Sequence, residues 1–393
     1  MQPLKGITVV SLEHAIAAPF ATRQLADLGA RVIKVERPHG GDFARKYDER
    51  AKGMSSHFVW TNRSKESLTL DLKDPEALST LKLLISQEAD VLVQNLAPGA
   101  AKRMGLSYED LSKSKSGIIV CDISGYGSDG PYANKKAYDL LIQSEAGFLS
   151  TTGTQDQVAK AGISIADISA GMYAYTNILA ALMHRQQTGQ GQCIDISMME
   201  SLSEWMSYPL YYAMDGAEAP ARAGASHASI YPYGPFEAGD GKVVMLGLQN
   251  EREWLVFCEK VLLNEHLARD ERFNTNTKRS ETREALKALI VQVFSSMTAA
   301  QVIERLEKAG IANAQVNAMA EVWSHEQLAH RNRWASIETP VGQMPALIPP
   351  GSWSQGPPRM DAVPEVGEHT DSILRKLGKT NLQIDQMRAR GSI

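Results

Sequence analysis

Between residues 7 and 124 short apolar runs alternate with stretches of helical spacing, a pattern that few folds accommodate. An apolar run at 7–12 is followed by helical spacing at 18–28, a stopping Gly29 and a second apolar run at 31–35, which reads as a βαβ unit. The unit repeats, with a strand at 68–72, a helix opened by Asp74 as cap and Pro75 at its first position, and a strand at 90–93. Helical spacing at 106–111 then leads to a strand at 118–123. Strands alternating with helices predict an α/β fold with a parallel, doubly wound sheet, whose ligands bind at the carboxyl ends of the strands.

Further along, residues 170–187 form an apolar helical stretch rich in small residues, and Thr188-Gly189-Gln190-Gly191 stops it before a strand at 193–197. Helical spacing at 205–214 gives way to a Gly, Ala and Pro-rich stretch at 215–226 that reads as a linker. Strand-like runs at 231–236 and 242–248 flank Gly239-Asp240-Gly241, a hairpin signal, and among the helices that follow one opens with Thr298 and Gln301 at capping-box spacing. The Pro-rich stretch 345–358 reads as a second linker. The expected organisation is the first part of a large α/β domain at 1–215, a linker at 216–228, a small α+β domain at 229–335, and a linker with return to the large domain at 336–393.

Composition removes several functional classes. Forty-one Lys and Arg against 45 Asp and Glu give a net charge of −4, which offers no field for nucleic acid. Three cysteines, Cys121, Cys193 and Cys258, are odd in number and form no CxxC, so neither a disulfide framework nor a zinc site is expected. Cys121 and Cys193 sit in apolar runs and read as small core residues. The chain starts without a signal-peptide core and lacks the roughly 20-residue apolar stretch of a membrane span, so a cytoplasmic protein without a membrane partner is expected. Two motifs fail on context. Gly125-Tyr126-Gly127-Ser128-Asp129-Gly130 has dinucleotide-fingerprint spacing, but Pro131 follows the last glycine and no acidic residue ends a later strand, so a turn is expected and a dehydrogenase is a distant reading. His325 and His330 lie five apart, about 140° round a helix, and cannot share one metal from one face.

Asp167 stands between a strand-like stretch at 162–166 and the apolar helix, where the pattern asks for a small apolar residue. Its ordinary reading is a helix N-cap. A carboxylate there is expected to stay ionised, because the helix macrodipole favours the anion, and an ionised carboxylate can attack an acyl carbon without a general base. A non-enzymatic binding protein would leave Asp167 unexplained.

With these residues in view the chain resembles the class III CoA-transferases, a family that includes formyl-CoA transferase, carnitine CoA-transferases and the related alpha-methylacyl-CoA racemases. The resemblance is carried by Leu4-Lys5-Gly6-Ile7, by the 28–38 stretch ending in Val35-Glu36-Arg37-Pro38, and by Gly41-Asp42. It continues through Asn95-Leu96-Ala97-Pro98-Gly99, Arg103-Met104-Gly105, Gly125-Tyr126-Gly127, Asp167, Thr188-Gly189-Gln190-Gly191-Gln192 and Gly367-Glu368-His369-Thr370. It implies a Rossmann-like large domain built from both ends of the chain, a smaller middle domain and an interlocked homodimer. Asp167 then matches the catalytic nucleophile, which carries the acyl group and then CoA. Ile16, Arg37, Leu70, Asn95, Leu96, Ala97, Pro98, Arg103, Met104 and Lys136 match the CoA contacts. No prosthetic group is implied; a coenzyme A thioester and a small carboxylic acid are the substrates.

Within the family, the racemase branch is marked by a histidine directly before an aspartate. Here the pair is Tyr138-Asp139, and tyrosine, with an ordinary pKa near 10, is a poor base near neutrality. The glycine tetrad of formyl-CoA transferases is replaced by His227-Ala228-Ser229-Ile230. The segment through Phe236 resembles transferases that use succinyl-CoA with itaconate, mesaconate or citramalate. Arg45, Arg222 and His227 are candidate donors to a distal carboxylate, and Tyr138 and Asp139 are candidate substrate contacts.

Overall fold

The computed structural model describes residues 2–354 and 356–393. Six strands form a parallel sheet in the order β3-β2-β1-β4-β5-β6, with β1 at Thr8–Leu12, β2 at Arg31–Glu36, β3 at Lys65–Thr69, β4 at Val91–Gln94, β5 at Ile119–Ser124 and β6 at Cys193–Ser197. This is the strand order of the doubly wound dinucleotide folds, with its crevice where the winding reverses between β1 and β4. Val10, Leu12, Ile33, Val35, Leu68 and Leu92 pack on one face against Leu81, Leu84 and Ile85 of the Pro75–Glu88 helix. Alternate residues such as Val9 and Val32 point to the other face. There the Ala17–Asp27 and Ile165–Thr188 helices pack closely; a Cβ on Gly171 would lie 2.7 Å from the Ala17 carbonyl.

Local chemistry sets the ends of these elements. Asp74 accepts from the N–H groups of Glu76 and Ala77, with Pro75 at the first helical position. Gly189 ends the long helix at φ +74°, which a glycine adopts without strain. A Cβ on Gly191 would lie 1.8 Å from the Ile118 carbonyl oxygen, so the second glycine of that turn lets the chain approach β5.

The chain divides into two compact units. The larger comprises residues 1–147, 161–207 and 328–393, and the smaller 148–160 and 208–327. The sequence reading placed the boundaries at 215 and 335 and left 148–160 in the large domain; that excursion carries no linker composition. In the smaller unit β7 (Tyr233–Glu237), β8 (Val243–Gly247) and β9 (Ala312–Gln315) form an antiparallel sheet. Its core includes Phe236, Leu246, Trp254, Phe257, Ile290 and Phe294. The 298–301 capping box closes as expected.

Other expectations are corrected. The strand-like 162–166 is a turn entering the Ile165–Thr188 helix. The helical stretch at 205–214 is two helices, Met198–Trp205 and Ser207–Tyr212. The second linker begins inside structure, because β11 (Met344–Leu347) pairs with β10 (Trp334–Ile337), and its Gln355 lies outside the described residues. Cys193 is exposed at the start of the edge strand β6, not a core residue, whereas Cys121 is buried. Among the described residues no single helix is long and apolar enough to cross a membrane.

The other edge strand, β3, is closed from far away. The Ser67 backbone N–H donates to His369 Nδ1 at 3.2 Å, the Ser67 carbonyl accepts from the His369 N–H at 3.0 Å, and Thr69 N–H donates to Thr370 Oγ1 at 3.0 Å. The Gly367-Glu368-His369-Thr370 motif thus occupies polar groups that an open sheet edge would expose.

Beneath the carboxyl ends of β1 and β2 lies a buried ionic network. Lys34, fully buried on β2, reaches Asp42 at 2.7 Å and Glu13 at 3.5 Å, while Lys65 on β3 reaches the same Glu13 oxygen at 2.7 Å. Thr22 donates to the other Glu13 oxygen at 2.7 Å. Burial alone would raise Glu13, but Lys65 and Lys34 outweigh it and hold the carboxylate below its ordinary value. Burial drives Lys65 down to about 8. Removing one member of a buried charged set leaves the others uncompensated, so Lys34→Met should destabilise the protein by about 3 to 5 kcal/mol. Urea denaturation reads this, and a loss under about 1 kcal/mol would mean that Lys65 and the local amides satisfy Glu13 and Asp42 unaided.

Candidate active site

The loops beyond β1 to β5 gather most of the residues singled out in the sequence at one end of the sheet. Ile16 is buried beyond β1, just before the Ala17–Asp27 helix. Arg37, exposed beyond β2, donates to the Gly41 carbonyl at 3.2 Å. Leu70 is buried beyond β3. Beyond β4, the Asn95 side chain accepts from the His14 N–H at 2.8 Å and donates to the His14 carbonyl at 2.9 Å, joining two loops across the switch point. Leu96 N–H donates to Gln94 Oε1; Ala97 and Pro98 are exposed, Met104 half-buried, and the guanidinium of Arg103, also exposed, donates to the Pro98 carbonyl at 3.4 Å. Lys136 is exposed in the long loop beyond β5 that ends at Tyr138. The glycines at 125, 127 and 130 run through bends, and no helix opens until Asp139.

Asp167 is the third residue of the Ile165–Thr188 helix and not its cap, which is Ser164. The capping acceptor comes from the Asp139–Glu145 helix: Asp139 Oδ1 accepts from Ala166 N–H at 2.8 Å and from Asp167 N–H at 3.4 Å. Among the described residues none donates a hydrogen bond to the Asp167 carboxylate. The expectation of a readily ionised group is overturned: burial, and then the neighbouring Asp139, push Asp167 up from 3.8 to about 7. The helix dipole does not outweigh them. A half-buried carboxylate without donors, beside a second anion, is poorly solvated as the ion and correspondingly nucleophilic.

Two side chains that the sequence reading did not single out belong to this end of the sheet. Tyr47 follows the Phe43–Lys46 turn, and burial, Asp42, Asp167 and Tyr138 together push its hydroxyl up to about 12. His14 stacks on Phe43 with ring centroids 5.4 Å apart. Burial holds its imidazole below the ordinary value, and its Nδ1 is buried without a hydrogen-bond partner among the described residues. Neither sits in a motif with chemistry of its own, so only tertiary structure reveals them.

The candidate substrate contacts separate. Tyr138 is 70% exposed and precedes the Asp139 helix. Arg45 does not serve as a free donor: it is spent in a bidentate pair with Glu36 at 2.8 Å on each arm, a bond to the Pro364 carbonyl and a stack on Phe58. Arg222, in the smaller unit, is likewise occupied by the carbonyls of Thr154 and Gln155. His227, also in the smaller unit, accepts at Nδ1 from the N–H groups of Ser229 and Ile230 and stacks on Tyr233. A ring that accepts at Nδ1 carries its proton on Nε2, which is thereby available as a donor.

Exposed cations beyond the strand ends and a poorly solvated carboxylate at the start of the crossover helix thus lie at the end of a doubly wound sheet where ligands of such folds bind. Residues 4–370 match the sequence profile of CoA-transferase family III, and the chain belongs to that family. It is 33% identical over 386 residues to the succinyl-CoA:glutarate CoA-transferase of Mus musculus, covering 96% of this chain and 87% of that protein. It is 35% identical over 332 residues to an acetyl-CoA:oxalate CoA-transferase of Acetobacter aceti, covering 84% and 85% of the two chains. The crystal structure of a CAIB/BAIF family protein from Brucella suis superposes with a TM-score of 0.85 at 32% identity, over 96% of this chain and 99% of that one.

The folded state binds the Asp167 proton more tightly than the unfolded chain, so ionising this residue costs stability as pH rises from about 4 through about 7. Asp167→Asn should therefore raise the melting temperature at pH 8 and change it little at pH 4. A lower melting temperature at pH 8 would show the carboxylate to be stabilising and the burial argument wrong.

Proposed function

We propose that this enzyme, a cytoplasmic homodimer, moves CoA from succinyl-CoA to a C4 or C5 dicarboxylate through covalent adducts on Asp167. The observation that carries the reading is the placement of the Asp167 carboxylate in the first turn of the crossover helix, beside Asp139 and, among the described residues, without a hydrogen-bond donor. Its oxygen attacks the thioester carbonyl, the C–S bond breaks and CoA thiolate leaves, giving a mixed anhydride. The thiolate then attacks the aspartyl carbonyl and releases the donor acid. An acceptor carboxylate displaces CoA from the aspartyl thioester, and the thiolate takes the acceptor's acyl group, restoring Asp167. Every step exchanges one nucleophile for another, so no external co-reactant is needed.

The acceptor class is supported by the glutarate named for the mouse relative, while the oxalate named for the Acetobacter relative supports a dicarboxylate without that length. Glutarate, itaconate, mesaconate and citramalate are the proposed acceptors, with oxalate and formate as comparisons. Incubation with succinyl-CoA and trapping with hydroxylamine should modify Asp167, and Asp167→Asn should be inactive; modification of another residue would refute the covalent step. In a panel of acceptors read by mass, dicarboxylates should exceed monocarboxylates of equal length by tenfold or more, because a site built to hydrogen-bond a distal carboxylate is left unpaired without it. Equal rates would overturn the acceptor class and leave CoA transfer intact. Epimerisation of a 2-methylacyl-CoA without acceptor would instead favour the racemase reading.

Arg37, Arg103 and Lys136 are proposed to hold the CoA phosphates, supported by their exposure beyond β2, β4 and β5. Charge-assisted bonds of about 1.5 to 3 kcal/mol mean that Arg103→Ala should raise the CoA dissociation constant at least tenfold by calorimetry. Unchanged binding in all three single alanine variants would remove these residues from the site.

A further inference from the structure

Gln143 is fully buried on the Asp139–Glu145 helix, one turn beyond Asp139. Its Nε2 donates to Asp139 Oδ2 at 2.7 Å, and its Oε1 accepts from the Ala161 N–H at 2.9 Å, where the chain re-enters the larger unit. The Ala161 N–H can only donate, so it requires the amide oxygen, and the amide nitrogen is thereby turned toward Asp139. Asp139 is met by donors alone: Gln143 on one oxygen, and the N–H groups of Ala166 and Asp167 on the other. A swing of Asp139 away from the helix start would break these bonds in a buried place.

We propose that Gln143 is a positioning residue for the covalent chemistry, holding the Asp139 charge against the start of the Ile165–Thr188 helix so that it faces Asp167. The inference rests on the reading of Asp167 as the nucleophile. Acylation removes the negative charge from Asp167, so a fixed anion beside it disfavours the free carboxylate and favours the adduct. The other ionisable groups around this pair are Tyr47, from the loop beyond β2, and Tyr138, and among the described residues no cation acts on Asp167. Asp139 is therefore the charge through which Gln143 acts. Gln143 itself touches no reacting atom.

The test uses Gln143→Met, which keeps the volume and removes both bonds, and Asp139→Asn, which keeps an acceptor for the helix N–H groups and removes the charge. In protein labelled with 13C at the aspartate carboxyls and assigned with Asp167→Asn, the Asp167 midpoint should fall by about one pH unit in both variants. The acid limb of the rate of adduct formation should move down by the same amount. In Gln143→Met kcat should fall about tenfold with KM within about threefold, as for a nucleophile displaced without loss of substrate contacts. An unchanged midpoint and acid limb in both variants, with only thermal stability lost, would reduce Gln143 to a structural residue and overturn the proposal. If the midpoint falls but hydroxylamine trapping in the unaltered enzyme labels another residue, the nucleophile reading fails and the role in covalent chemistry falls with it, while the electrostatic coupling stands.

Discussion

The Glu13 carboxylate lies between two buried ammonium groups, and the loops that build the site hang from that contact. Lys34 ties it to Asp42, which accepts from the N–H groups of Ala15 and Ala44, so the turns beyond β1 and β2 are bound to one ionic centre. Lys65 ties it to β3 and, through the Pro19 carbonyl, to the first helix. Glu36 extends the same layer, receiving the Asp42 N–H and both arms of Arg45. Buried charges are weak evidence for stability, but a shared ionic centre fixes the relative placement of loops, which apolar packing does not specify. Tyr47 enters the surroundings of Asp167 through this arrangement.

The same sheet end is divided by charge. Cations stand exposed at the ends of β2 and beyond β4 and β5, whereas the Asp139 carboxylate accepts from the Asp167 N–H at the start of the crossover helix, and its charge acts on Asp167. The exposed cations suit a polyanionic tail that arrives from solvent. The half-buried carboxylates suit a reacting centre at which charge must be lost. Under the proposed covalent route a carboxylate comfortable as an ion would be a poor attacking group, and the cost of keeping two anions together would favour the adduct.

Elements whose cause lies within a few residues were legible in the sequence: the Asp74 and Pro75 helix start, the Gly189 stop, β6 at Cys193–Ser197, the Gly239-Asp240-Gly241 hairpin and the Thr298 capping box. The losses share a physical reason. The β3 strand begins at Lys65, three residues before its apolar run, because a polar strand residue is acceptable there only where Glu13 receives it. The long helix begins at Ile165 because Asp139, 27 residues upstream from Ala166, supplies its acceptor. Arg45 reads in the sequence as a free donor for a substrate carboxylate, whereas in the fold Glu36, nine residues away, occupies it. Asp167 was found from its position in the pattern, but its charge state depends on a neighbour that spacing does not reveal.

The contacts of Gly367-Glu368-His369-Thr370 with β3 also bear on how the protein comes off the ribosome. Residues joined at that edge are about 300 positions apart, as in the 302-residue span between Ser67 and His369. At roughly 5 to 20 residues per second, about 15 to 60 seconds of synthesis separate the two. Through that interval β3 is without its covering strap, and an exposed strand edge is a template for pairing with other nascent chains. The charged and hydroxylated character of Lys65-Glu66-Ser67-Leu68-Thr69 then has a second use: it makes an uncovered edge less attractive until residues 367–370 arrive.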